Sequence, residues 1–271
     1  MSRSLVNLLL IVPLGYLVIC AVLYFRQNAM VFHPTRGTEA AYDEEAVAQK
    51  FVPWLNAKGE RIGWHSVGGG TENALLIING NGGDSLGRIY YRDYCKAGGP
   101  GWTTFLLEYP GYGSRGGSPS EKACVNAAVE AIDTLATVPG RKIWVIGESL
   151  GSGVASAAVS QRPEKISGLV LVTPFDSLVG AAGFHYPWLP VSLLLHTRLD
   201  SRKNLETYPG PVAFLVGEKD RTVPAVLGKK LYENYPGRKR LWVDPEAGHD
   251  VSDLLLAEWP QIFAWMQSTL R

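Results

Sequence analysis

Hydrophobic residues in this chain come mainly as short, unbroken runs. Six of them, at residues 74–78, 103–107, 143–146, 169–172, 212–216 and 241–243, are four or five apolar residues long or nearly so and end in loop-forming residues. Runs of that kind predict strands buried on both faces. Residues 51–55 and 61–67, separated by Lys58-Gly59-Glu60, predict an opening hairpin. Between the runs lie helical patterns. In residues 121–137, Ala128, Ala131, Ile132 and Leu135 share one stripe behind a Pro119-Ser120 start, and residues 152–159 are rich in small side chains. Alternating strand and helix predicts an α/β domain with a mostly parallel central sheet and helices on both faces, spanning residues 51–271.

The first apolar run is of another kind. Residues 5–25 carry no charge and only Asn7, Tyr16 and Cys20 as polar interruptions. As a helix rising about 1.5 Å per residue it covers roughly 30 Å, the hydrocarbon thickness of a bilayer. It is too long for a signal-peptide apolar region and no A-x-A-like site follows, so it reads as an uncleaved transmembrane anchor. Tyr24 and Phe25 fit an interfacial aromatic belt. Arg3 and the amino terminus balance Arg26 and Arg36 across it, so positive charge leaves the sidedness of the domain open. Residues 26–50, with Val31-Phe32-His33-Pro34 and the acidic Asp43-Glu44-Glu45, read as a connector.

Composition narrows the function classes. The formal net charge is +1 and there is no basic run, which argues against a nucleic-acid partner. Cys20, Cys95 and Cys124 are far apart, offering neither a disulfide framework nor a zinc spacing, and read as small buried hydrophobes.

Candidate chemistry gathers where strands end, since open α/β sheets build sites outside the carboxyl ends of their strands. Gly147-Glu148-Ser149-Leu150-Gly151 joins the run 143–146 to a helix starting at Leu150. This is the strand, tight turn and helix that give a G-x-S-x-G match its meaning, with Ser149 at the apex as nucleophile. The run 74–78 leads into Asn79-Gly80-Asn81-Gly82-Gly83, and the N–H of Asn81 with that of Leu150 is assigned to an oxyanion hole. Asp220 follows the run 212–216, and His249, preceded by Gly248, follows 241–243. Asp176 also follows a strand, and His33, His65, His185 and His196 are other histidines, but only Ser149, Asp220 and His249 form the strand-end order Ser…Asp…His. Histidine, whose unperturbed pKa is about 6.5, can take the serine proton and later return it, while the aspartate holds its tautomer. The chemistry is acyl transfer to Ser149 and hydrolysis by water, with no metal or organic cofactor required.

These residues resemble the membrane-anchored branch of the α/β-hydrolase superfamily, whose eukaryotic members include protein depalmitoylases. The similarity runs through Phe32-His33-Pro34, the Asn81 loop, Glu108-Tyr109-Pro110-Gly111-Tyr112-Gly113, the Ser149 pentapeptide, Gly217-Glu218-Lys219-Asp220 and Gly248-His249. It implies the α/β-hydrolase fold and the same triad roles. One position departs from the family: a histidine usually precedes the glycine of the oxyanion loop, and here Asn79 stands there.

Between the runs 169–172 and 212–216 lies a longer insertion, residues 176–205, containing an apolar aromatic stretch from Phe184 to Leu195. It predicts a small cap whose Tyr186, Trp188 and Leu189 form an acyl pocket close to the bilayer. The expected activity is a membrane-tethered serine hydrolase acting on ester or thioester bonds of acyl or lipidic substrates. Two other readings stand beside it: a serine peptidase of the same fold, for which Glu108 or Glu148 could bind a peptide amino terminus, and a catalytically silent membrane-bound scaffold.

Overall fold

Alternate side chains of a strand point to opposite faces, so a strand that is apolar at every position needs cover on both sides. The computed structural model, which describes residues 3–96, 101–250 and 258–268, supplies that cover around an eight-stranded sheet. The chain enters as helix α1 (Arg3–Val31), strand β1 (His33–Pro34) and helix α2 (Glu39–Ala48). The hairpin follows as β2 (Phe51–Leu55) and β3 (Arg61–Ser66), then β4 (Asn73–Ile78), the short β5 (Gly82–Gly83), α3 (Tyr91–Lys96) and β6 (Trp102–Leu107). Strand and helix then alternate as α4 (Glu121–Leu135), β7 (Lys142–Glu148), α5 (Leu150–Gln161) and β8 (Ile166–Val172). Short helices α6 (Leu178–His185), α7 (Val191–Leu194) and α8 (Ser201–Leu205) precede β9 (Val212–Gly217), α9 (Ala225–Asn234), β10 (Lys239–Asp244) and α10 (Trp259–Ser268).

The sheet order is β10-β9-β8-β7-β4-β6-β3-β2. The pairs β2 with β3 and β3 with β6 are antiparallel, and the others are parallel. Period-two alternation divides its side chains between two cores. Leu76, Val145, Leu171 and Phe214 pack on one face with α4, α5 and α9, while Leu75, Trp144, Val170 and Leu215 pack on the other with α2, α3 and α10. Helix α4 starts where the sequence places it, its first turn capped by the Ser120 hydroxyl, which accepts the Ala123 N–H at 3.2 Å. All four residues of its expected stripe are buried.

The amino-terminal region is more structured than a connector. Helix α1 continues to Val31, and β1 pairs in parallel with β5, His33 opposite Gly82 and Pro34 opposite Gly83. In α2, capped by Thr38, Tyr42 and Ala46 stand four residues apart and are buried against Phe51 and Trp64. Its acids turn outward, Glu39 and Asp43 to Arg61. The acidic cluster therefore belongs to the outer face of an amphipathic helix.

Among the described residues one helix is long and apolar enough to cross a membrane, over Leu10–Val31. Leu10, Ile11, Val12, Leu14, Leu17 and Val18 are exposed, unlike the residues of a core helix. The carboxyl-terminal part of α1 lies along the insertion between β8 and β9. The Tyr16 hydroxyl donates to the Trp188 carbonyl at 2.9 Å. The buried Gln27 side chain donates to the Leu194 carbonyl at 3.0 Å and accepts the His196 N–H at 2.5 Å. The stretch just after Asp250 that was expected to lead into the final helix includes residues 251–257, outside the described residues.

Candidate active site

Strand β7 ends at Glu148 and α5 begins at Leu150, leaving Ser149 alone in the turn with φ 53° and ψ −119°. Non-glycine residues adopt such a conformation only where the surroundings impose it. Here the Ser149 N–H donates to the Val172 carbonyl and the Ser152 N–H to the Ser149 carbonyl, both at 2.9 Å. The flanking glycines are sterically required. A Cβ on Gly147 would sit 2.5 Å from the Gly151 carbonyl oxygen, and one on Gly151 would strike the Ile78 and Asn79 carbonyls.

Ser149 Oγ lies 3.0 Å from His249 Nε2, and His249 Nδ1 lies 2.8 Å from Asp220 Oδ2. With its proton on Nδ1 the imidazole donates to the carboxylate and presents a lone pair to the serine hydroxyl. The Asp220 side chain is 1% exposed and His249's is 31% exposed, so the acid is buried and the base reaches the surface. The other carboxylate oxygen accepts the Thr222 and Val223 N–H groups, both at 2.8 Å, which fixes its orientation. The Lys219 N–H donates to the Ala247 carbonyl at 2.8 Å and ties the Asp220 loop to the His249 loop. Asp176, by contrast, receives the Lys230 ammonium at 2.7 Å and the Ser177 N–H at 2.8 Å. Of the other histidines, His65 stacks on Phe105, His196 packs edge-on against Tyr24, and His33 sits 2.9 Å from the Met30 carbonyl. His185 lines the same pocket as Ser149, with a ring nitrogen 2.9 Å from the Thr222 carbonyl.

Asn81 and Leu150 border the serine pocket together. As the first residue of α5, Leu150 has an N–H with no intrahelical acceptor, at the positive end of the helix dipole. The Asn81 carbonyl accepts the His33 N–H at 2.9 Å and the Tyr112 hydroxyl at 2.7 Å. Asn79, where the resemblance has histidine, is buried and donates from Nδ2 to the Gly80 carbonyl at 3.2 Å. That carbonyl and the Asn81 N–H belong to one peptide plane, so the Asn79 side chain helps fix the direction of the Asn81 N–H.

Two nearby carboxylates are occupied by other partners. Glu148 receives Arg88 Nε at 3.1 Å on both oxygens, with the Tyr90 hydroxyl at 3.0 Å and the Tyr91 hydroxyl at 3.2 Å. Glu108 accepts the Ser85 hydroxyl at 2.8 Å and the Ser85 N–H at 3.2 Å. Burial pushes the Glu108 carboxyl up to about 7, the Ser85 hydrogen bonds working in the opposite direction.

Ser149 opens into a cavity of about 180 Å³ walled by Met30, Val31, Phe175, Leu178 and Ala182 among others. The residues expected to hold an acyl group, Tyr186, Trp188 and Leu189, line a neighbouring cavity of about 320 Å³. Sequence reasoning missed Met30 and Val31, the end of α1, because residues 26–50 read as a connector, which carried no reason to enter the site. The legible signal was the continued helical character of residues 26–31.

A family profile for the alpha/beta hydrolase fold matches residues 73–195. An uncharacterised protein of Mycobacterium tuberculosis is 33% identical over 94% of this chain and 92% of its own length. The lysophosphatidylserine lipase ABHD12 of Xenopus tropicalis is 27% identical over 67% of this chain and 52% of its own. A membrane protein of Saccharomyces cerevisiae is 28% identical over 85% of both chains. Among solved structures, an esterase of Pyrococcus furiosus superposes with a TM-score of 0.65 at 16% identity, over 89% of this chain and 98% of the other.

Proposed function

The chain belongs to the α/β-hydrolase family, and from that premise we propose that it is a membrane-tethered serine hydrolase of lipid esters with Ser149, His249 and Asp220 as its triad. The observation that carries this reading is the relay from Ser149 Oγ to His249 at 3.0 Å and on to Asp220 at 2.8 Å, opening on an apolar pocket. The similarity to a lysophosphatidylserine lipase supports a lipid substrate, and the apolar α1 together with the similarity to a yeast membrane protein supports the tether.

Ser149 Oγ attacks the ester carbonyl carbon as its proton passes to His249 Nε2. The carbonyl oxygen becomes an oxyanion facing the N–H groups of Asn81 and Leu150. The bond to the alcohol then breaks, and the imidazolium returns its proton to the departing oxygen. Water attacks the acyl-serine as its proton passes to His249, and the imidazolium returns that proton to Ser149 Oγ as the acyl–oxygen bond breaks, releasing a free fatty acid. Asp220, buried and held by two N–H groups, stabilises the imidazolium in both halves. The occupation of Glu148 by Arg88 and of Glu108 by Ser85 takes away the carboxylates that a peptidase could use for an amino terminus.

The test is hydrolysis by the full chain in detergent of a panel containing lysophospholipid, monoacylglycerol, acyl-thioester and peptide substrates. The lipid esters should turn over, with Ser149→Ala slower by about a million-fold. Turnover of peptides alone, or undiminished activity in Ser149→Ala, would overturn the reading.

A further inference from the structure

The serine cavity and its larger neighbour share four wall residues: Met30 and Val31 of α1, and Leu178 and Ala182 of α6. The outer cavity continues along α1 through Ile19, Leu23 and Gln27. Ile19, Leu23, Gln27 and Met30 step by three or four residues, so they form one face of the helix. Gln27, the polar residue in that stripe, uses its amide on the Tyr24, Leu194 and His196 main chain, which leaves the cavity apolar. Val18, Val22 and Phe25 lie off that stripe, line neither cavity and are exposed, while Ile19 and Met30 on the stripe line the cavity wall and are also partly open to the surroundings. One side of α1 thus faces the surroundings, and the other faces a cavity that leads to the nucleophile.

The tip of the insertion accompanies α1 for a long way. From Phe25, where the uncharged run ends, back to Tyr16, whose hydroxyl bonds to Trp188, is a helical rise of about 14 Å. That is close to the depth of one hydrocarbon leaflet, half of ~30 Å. The same tip leaves Phe184 and Trp188 57% exposed and Leu193 76% exposed, and the Trp188 ring lies 6.4 Å from that of Tyr16 on α1. A helix in the bilayer therefore brings the cap tip in with it, and the outer cavity lies among acyl chains.

We propose that α1 is a wall of the substrate path as well as a tether: a single acyl chain moves laterally from the bilayer between α1 and the cap, past Met30, Val31, Leu178 and Ala182, to Ser149. This rests on the serine-hydrolase reading and names its substrate class, a lipid ester with one acyl chain whose carbonyl stops at the serine. The outer cavity takes the distal part of a long chain, while a short acyl group ends within the inner one.

The experiment uses the full chain in phosphatidylcholine vesicles with two ester probes, p-nitrophenyl butanoate and p-nitrophenyl hexadecanoate. Leu23→Trp fills the outer cavity from the α1 side and Ala182→Phe fills the partition from the cap side, so a folding failure in one leaves the other. Val22→Trp, on the exposed face, is the control. The ratio of kcat/KM for the long ester over the short should fall at least tenfold in either filled variant and stay within twofold of wild type in the control. An unchanged ratio in both filled variants, with wild type turning over both esters, overturns the lateral path alone. Turnover of neither ester by wild type overturns the hydrolase reading together with it.

Discussion

Ser149 can hold its strained φ because Gly147 and Gly151, two residues away on either side, add no side chain to a crowded turn. Both glycines and the approach of Ser149, His249 and Asp220 to one another were legible in the sequence, since the proposed chemistry dictates residue type at those points. The role of Asn79 was not, because orienting a peptide plane by a side-chain amide depends on a loop conformation that residue spacing does not specify. Asn79→Ala should lower kcat by about tenfold with little change in KM, since a misaligned oxyanion donor is lost mainly in the transition state. Asn79→His should recover part of that loss, and steady-state kinetics on one soluble ester checks both. Glu108 gives a pH prediction. Its folded pKa of about 7 lies above that of an unfolded carboxylate, so between about 4.5 and 7 the folded state binds more protons than the unfolded state. Stability should fall as pH rises through that window, by roughly 3 kcal/mol for a shift of this size. Unfolding at pH 5 and pH 8 should show this slope in wild type and a smaller one in Glu108→Gln.

At the scale of elements, the insertion between β8 and β9 is held to α1 largely by polar groups. Gln27 bonds to Leu194 and His196 at the base, and Tyr16 bonds to Trp188 at the tip. Gln27→Leu would leave the Leu194 carbonyl and His196 N–H without that partner, at a cost of about 1–3 kcal/mol. The loss should be local, seen as faster native-state proteolysis in residues 185–197 with the global melting temperature nearly unchanged. Equal proteolysis would show that the clasp does not hold the cap. The strands were readable because a doubly covered sheet demands apolar residues at every position. By contrast, α2 was hidden by its outward-facing acids, although Tyr42 and Ala46 mark its inner face. The end of α1 was hidden by Arg26, whose charge ended the apolar run at Phe25, while Gln27 just beyond it serves the contact with the cap.

On the scale of the whole molecule, the proposed function gives membrane attachment and catalysis one shared element. Helix α1 presents apolar side chains outward, ends at the serine pocket, and passes directly into β1, which pairs beside the oxyanion loop. Removing the helix would therefore remove Met30 and Val31 from the wall of the serine pocket. The near-zero net charge and the lack of a basic run leave apolar contact as the main attraction to a bilayer. The most direct measurement is labelling of the full chain in detergent by a fluorophosphonate probe, comparing wild type with Ser149→Ala and His249→Ala. The account predicts rapid labelling of wild type, with the modified peptide containing Ser149, and its loss in both variants. A folded wild type that takes no label, or labelling that survives in Ser149→Ala, would contradict it.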